Sequence, residues 1–161
     1  MENDYTFGYG SNMNYSDLRA WLESNGYDSS LIKSIKKAEL DGYDLVWNFY
    51  SHRRGGGAAN IEPKEGSSVY GALIEYDKSL NKAFDRKEGR PVYYDKDKLK
   101  VKGIEDGKEV EAWVYIAAPN KGSRRDVWPR KDYKWICLKG AQELGLPEEY
   151  IQKIEQWPTS G

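Results

Sequence analysis

Two short stretches of this sequence hold residues able to bind an oxyanion or move a proton. The first is FGYGSNM, residues 7 to 13. Gly10, Ser11 and Asn12 suit tight backbone geometry, and a strand-to-helix corner aims successive N–H groups at one point in space. The second is FDRKEG, where Glu88 stands directly before Gly89. A glutamate at the end of a helix is ordinarily a solvated surface charge. Beside a corner able to bind an oxyanion, it is a candidate for proton transfer.

Other chemistries have little to work with. His52 and Cys137 are the only residues of their types, which leaves no metal centre of His and Cys ligands, although a carboxylate-only magnesium site stays open. A Cys–His nucleophilic pair would need those two residues to meet. Cys137, inside ICLKGA on the interior face of a helical pattern, reads as a core thiol instead. GYGSN is not a nucleophile elbow, because the position two after Ser11 is Met13 rather than glycine. SHRRGGGAAN lacks the spacing of a phosphate loop and reads as a flexible connection. SRRDVWPRKDYKW, residues 123 to 135, interleaves five basic residues with Trp128, Tyr133 and Trp135. It reads as a solvated loop entering a helix, with Trp135 expected in the core.

The elements that must position the corner and the glutamate follow from periodicity. Tyr5, Phe7 and Tyr9 alternate as a short strand; Leu18, Trp21 and Leu22 recur at helical spacing, with Asn14 as cap and Gly26 as stop. Residues 43 to 49 alternate again before the 51 to 57 connection, and 69 to 76 form a further strand. Asp77 caps a short helix that carries Glu88 at its end and stops at Gly89. Residues 92 to 102 and 108 to 118 pair as a hairpin near Asp106-Gly107, and two helices follow Pro129, divided by Gly145 and Pro147. Strands in the middle with helices near the ends give an α+β class rather than regular βαβ winding.

At 161 residues the chain can bury a core as one domain, residues 1 to 161, without disulfides or a structural metal. The net charge of −1 gives no reason to expect nucleic acid or an anionic membrane as partner. The absence of a basic-then-apolar start or an apolar run of about 18 residues predicts a cytoplasmic chain with no membrane span. Thirteen Tyr and six Trp against three Phe supply apolar surface with polar handles, suited to lining a wet cleft.

Taken in order, FGYGSNM, RGGGAANI, VYGALIEY, FDRKEGRPVYY, AWVYIAAP and DYKWICLKGAQELGLPEEYIQKIE make the sequence resemble the γ-glutamylcyclotransferase-like family over nearly its whole length. The resemblance implies a mostly antiparallel, barrel-like sheet with flanking helices. It implies release of 5-oxoproline and a free amine or amino acid from a small γ-glutamyl substrate, with no cofactor and no metal. Carried over, Tyr9, Gly10, Ser11 and Asn12 would form the substrate cradle, Glu88 the acid/base, and Tyr133 of DYKW a residue near the site. The basic loops at 51 to 57 and 120 to 131 lie outside the family motif. Arg53, Arg54, Arg124 and Arg125 there would suit an anionic leaving portion. The competing reading is a non-catalytic binding module that uses those loops for a nucleotide or another anionic partner.

Overall fold

The computed structural model describes residues 2–118 and 127–160. Strands β1 (Asn3–Gly8), β2 (Ile32–Ser51), β3 (Gly56–Asp77), β4 (Tyr94–Gly103) and β5 (Glu109–Ala117) close into a barrel in the order β1, β3, β2, β4, β5. Every seam is antiparallel except the closure, where β1 runs parallel to β5 with Thr6 opposite Trp113. Helices α1 (Tyr15–Ser24), α2 (Asn81–Glu88), α3 (Lys131–Leu144) and α4 (Glu148–Glu155) flank the sheet. This is the α+β, mostly antiparallel barrel expected from the sequence. No helix among the described residues is long and apolar enough to cross a membrane.

Local signals set most of the helix ends. Asn14 Oδ1 accepts the Asp17 N–H at 3.0 Å, which satisfies one of the four orphan donors at the start of α1. Leu18 and Leu22, one turn apart, bury its inner face. The Asp77 carboxylate accepts the Ser79 N–H at 3.0 Å and opens the turn that leads into α2. Gly89 ends that helix at φ 66°, a left-handed conformation a side chain would resist. The stop therefore fixes Glu88 as the last helical residue.

The long β2–β3 hairpin differs from the sequence expectation. Gly56 and Gly57 belong to β3 and pair with Ser51 and Tyr50, so the 51 to 57 connection shrinks to the turn at 52 to 55. The ladder also shifts register between Asp41 and Tyr43 and between Val46 and Phe49, breaks that curve the hairpin toward closure. Residues 69 to 76 are the second half of this one strand rather than a separate element. In the β4–β5 turn only Gly107 takes a positive φ, 68°, while Asp106 supplies its carboxylate to the Lys108 N–H at 3.0 Å.

Helix α3 corrects the placement of Trp135. Tyr133, Cys137, Gly140 and Ala141 recur at helical spacing and form its buried stripe. Trp135 lies two residues from both Tyr133 and Cys137, on the opposite side, and is 59% exposed.

Candidate active site

The corner forms where β1 leaves β3, which runs on from Ala72 through Gly71 in its pairing with β2. Gly8 pairs with Ala72, after which Tyr9 and Gly10 leave the ladder and Ser11–Met13 wind into a single 3₁₀ turn. Met13 N–H donates to the Gly10 carbonyl at 3.1 Å and Asn14 N–H to the Ser11 carbonyl at 3.0 Å. The N–H groups of Gly10, Ser11 and Asn12 find no acceptor among the described residues. Three consecutive donors are thus left open at a turn, an arrangement suited to an anion.

Helix α3 clamps the corner from behind. A Cβ on Gly140 would lie 2.5 Å from the Met13 carbonyl carbon and 2.6 Å from the Asn14 nitrogen, so only glycine lets the two backbones approach this closely. Asn14 Nδ2 donates to the Ile136 carbonyl at 3.1 Å and ties the same two elements. One side chain therefore caps α1 with its oxygen and holds α3 with its nitrogen.

Tyr9, Gly10, Ser11, Asn12, Glu88 and Tyr133, the residues singled out in the sequence, all line one cavity of about 370 Å³. It falls within the range of small-molecule sites. Glu88 reaches this cavity from the end of α2 and is half-buried. Among the described residues its carboxylate makes no hydrogen bond and no ion pair, whereas Asp85, one turn earlier, is held by Lys96 at 2.9 Å and Arg90 at 3.5 Å.

Buried tyrosines form the rest of the wall. The Tyr133 hydroxyl accepts the Ala59 N–H at 3.1 Å, and the Tyr94 hydroxyl donates to the Ala59 carbonyl at 2.7 Å. Ala59 lies where the β2–β3 register breaks, so two side chains replace the ladder bonds its backbone lost. The Tyr9 hydroxyl donates to the Tyr115 carbonyl, and the Tyr115 hydroxyl to the Asp85 carboxylate. Burial first, then the nearby Glu88 charge, raises the Tyr9 hydroxyl well above the ordinary tyrosine range. Burial does the same to Tyr94 and Tyr133. All three stay neutral at physiological pH and serve as fixed dipoles.

Lys87 was not singled out by the sequence reading. It is only 9% exposed, lines the same cavity, and donates from Nζ to Asn12 Oδ1 at 2.7 Å and to Ser11 Oγ at 3.4 Å. Burial lowers its pKa from the usual lysine value, with Glu88 and Asp17 opposing the shift. The signal that would have found it is a charge in phase with the apolar face of α2: Lys87 follows Ala83 by four residues and Phe84 by three.

The basic turn contributes in part. Arg54 pairs with Asp17 at 3.4 Å and its guanidinium stacks 5.2 Å from the Tyr133 ring centroid, which makes it part of the wall. Arg53 and His52 line the mouth. Arg124 and Arg125 lie outside the described residues. Cys137 is fully buried in α3, away from the cavity lining, and burial pushes its thiol up to about 12. It does not meet His52. Among the described residues no group of three or more His, Cys, Asp or Glu side chains is arranged to hold a metal ion.

Comparison with known proteins adds to this geometry. Residues 6–135 match the family model described as gamma-glutamyl cyclotransferase, AIG2-like. A mouse gamma-glutamylcyclotransferase is 28% identical over 150 residues, covering 92% of this chain and 76% of the mouse protein. A solved gamma-glutamyl cyclotransferase superposes with a TM-score of 0.82 at 25% identity, over 99% of this chain and 90% of the other. A solved human protein superposes with a TM-score of 0.85, also at 25% identity and with the same coverage.

Proposed function

The chain belongs to the gamma-glutamyl cyclotransferase, AIG2-like family and is an enzyme of that type, and we propose that it cyclises a γ-glutamyl group to 5-oxoproline at the cavity shared by the corner and Glu88. In such a substrate the α-amine attacks its own γ-carbonyl. A new C–N bond closes a five-membered lactam, and the old C–N bond breaks to release the amine on the far side. No water is consumed.

The α-amine, beside its own free carboxylate, is mostly protonated at neutral pH, so it needs a base before it can attack. Glu88 takes that proton and returns it to the departing amine. The observation that carries this reading is a carboxylate with no protein partner among the described residues, lining the same cavity as three unpaired N–H groups. Those donors stabilise the oxyanion of the tetrahedral intermediate, each worth ~2.7–4 kcal/mol in comparable sites. Nucleophile and carbonyl share one molecule, so the cavity needs only to hold a folded-back conformer, a task for rigid, neutral walls such as Tyr9, Tyr94 and Tyr133.

The test is a panel of γ-glutamyl dipeptides and γ-glutamyl amines, with 5-oxoproline followed by mass spectrometry beside a Glu88→Gln control. Product from a panel member, lost in the control, supports the reading and names the leaving group. Product formed equally by Glu88→Gln would remove Glu88 from the mechanism. No product from folded protein, together with salt-sensitive, Glu88-independent binding of an anionic ligand, would favour the binding module instead.

A further inference from the structure

Lys87 presents a problem that the proposed proton transfer does not solve. Its ammonium is almost completely buried, yet its hydrogen-bond partners among the described residues are two neutral oxygens, Asn12 Oδ1 and Ser11 Oγ, and no carboxylate pairs with it. A buried charge with no carboxylate in direct contact costs on the order of several kcal/mol even after relaxation, which the more distant Glu88 and Asp17 offset only in part. Asn12 is itself 5% exposed, and among the described residues no acceptor meets its Nδ2.

We propose that Lys87 is a positioning residue that turns the side chains of the corner into donors toward the substrate. The argument is one of hydrogen-bond inventory. An ammonium can only donate, whereas a carboxamide and a hydroxyl can each donate or accept. Lys87 occupies the Asn12 oxygen, which fixes the amide and leaves Nδ2 as the group free to meet a ligand. It occupies a lone pair of Ser11 Oγ, which leaves the hydroxyl proton free to be given away. Side chains and backbone N–H groups of the corner then agree in polarity, and the Lys87 charge stands behind them. That arrangement matches an oxyanion developing at the corner better than the neutral carbonyl that precedes it, so its effect falls on kcat more than on KM. The inference rests on the cyclotransferase reading and adds a residue to it.

The test compares wild type, Lys87→Met and Lys87→Gln with a substrate from the panel, beside Glu88→Gln. Lys87→Met keeps length and apolar bulk and removes the charge; the inference expects kcat to fall about 100-fold, as for loss of an oxyanion donor, with KM within about threefold. Thermal stability should change little, because removing a buried charge offsets the loss of the donor to the buried Asn12 oxygen. Lys87→Gln, which can still donate to Asn12, should recover part of the loss. Unchanged kcat in Lys87→Met, a rise in KM alone, or failure of both variants to fold would each overturn it. The cyclotransferase reading would survive any of these while wild-type product still depended on Glu88. A second readout needs no turnover: NMR relaxation should report an ordered Asn12 side-chain amide in wild type, because Lys87 holds its oxygen. That order should be lost in Lys87→Met. Unchanged order would sink the inference even if wild type proved inactive on every substrate.

Discussion

At the scale of single residues, the site divides into groups that act and groups that hold still. On the proposed reading Glu88 is the acting group, and Glu88→Gln should lower kcat by about 10²–10⁴-fold, the span of general acid–base contributions. The melting temperature should stay near wild type, since no hydrogen bond or ion pair to that carboxylate is lost among the described residues. Parallel kinetics and thermal melts check both halves. Tyr133 is a holding group. Tyr133→Phe removes the acceptor for the Ala59 N–H and leaves a buried donor unsatisfied, a loss of about 1–3 kcal/mol readable by chemical denaturation. Tyr133 could be picked out beforehand only through family resemblance. Tyr94 and Tyr115 could not, because their value lies in meeting Ala59 and Asp85, 35 and 30 residues away in sequence. Lys87 was visible in principle, as a charge on an apolar helix face, but a lysine among other charges reads as surface until its burial is known.

At the scale of elements, the corner depends on α3 more than on its own turn. Gly140→Ala should improve intrinsic helix propensity by about 1 kcal/mol. Here it must instead push α3 off Met13 and Asn14, so a net loss of about 1–3 kcal/mol is expected, the usual cost of overpacking. Turnover should fall with it, because Met13 and Asn14 directly follow the Gly10–Asn12 N–H groups proposed to hold the oxyanion. A stabilised variant with normal kcat would show that the contact relaxes without moving the corner. Elements built on local rules were legible in the sequence: the β1 alternation, the Asn14 cap, the Gly89 and Gly145 stops, and the two C-terminal helices. The curved β2–β3 hairpin was not. Its strands of 20 and 22 residues are broken by register shifts that depend on cross-strand partners, and alternation within one strand carries no record of them.

At the scale of the whole molecule, the barrel has a weak seam, and acid should open it there. Thr6 opposite Trp113 marks the β1–β5 contact, and among the described residues the β2–β4 ladder has two paired positions, Ala38 with Gly103 and Glu39 with Lys102, continued by the Ile104 N–H to the Lys37 carbonyl at 3.1 Å. Carboxylates reinforce the β1–β5 side. Asp4 on β1 accepts from Trp113 Nε1 at 2.9 Å and from Asn81 Nδ2 at 2.8 Å, and Asp85 on α2 pairs with Lys96 of β4 at 2.9 Å and accepts from Tyr115 of β5. Burial works to raise both carboxyl pKa values, but those hydrogen bonds and the neighbouring lysines prevail and hold both below the usual aspartate range. A carboxyl depressed by folding adds stability above its unfolded pKa of about 3.9, and that contribution is lost as pH falls through the folded value. Melting temperature should therefore drop steeply below about pH 4. Asp4→Asn and Asp85→Asn should each cost about 1.5–3 kcal/mol at pH 7, and their deficit against wild type should shrink as pH falls below about 4 through the folded-state values. Lys96 pairs with Asp85 and also lies 4.4 Å from the centroid of the Trp113 ring that donates to Asp4, so the two sites share a neighbour. Their double variant should depart from additivity by about 0.5 kcal/mol or more. A deficit that does not shrink as pH falls below about 4, or strict additivity at pH 7, would place the acid-sensitive step elsewhere in the fold.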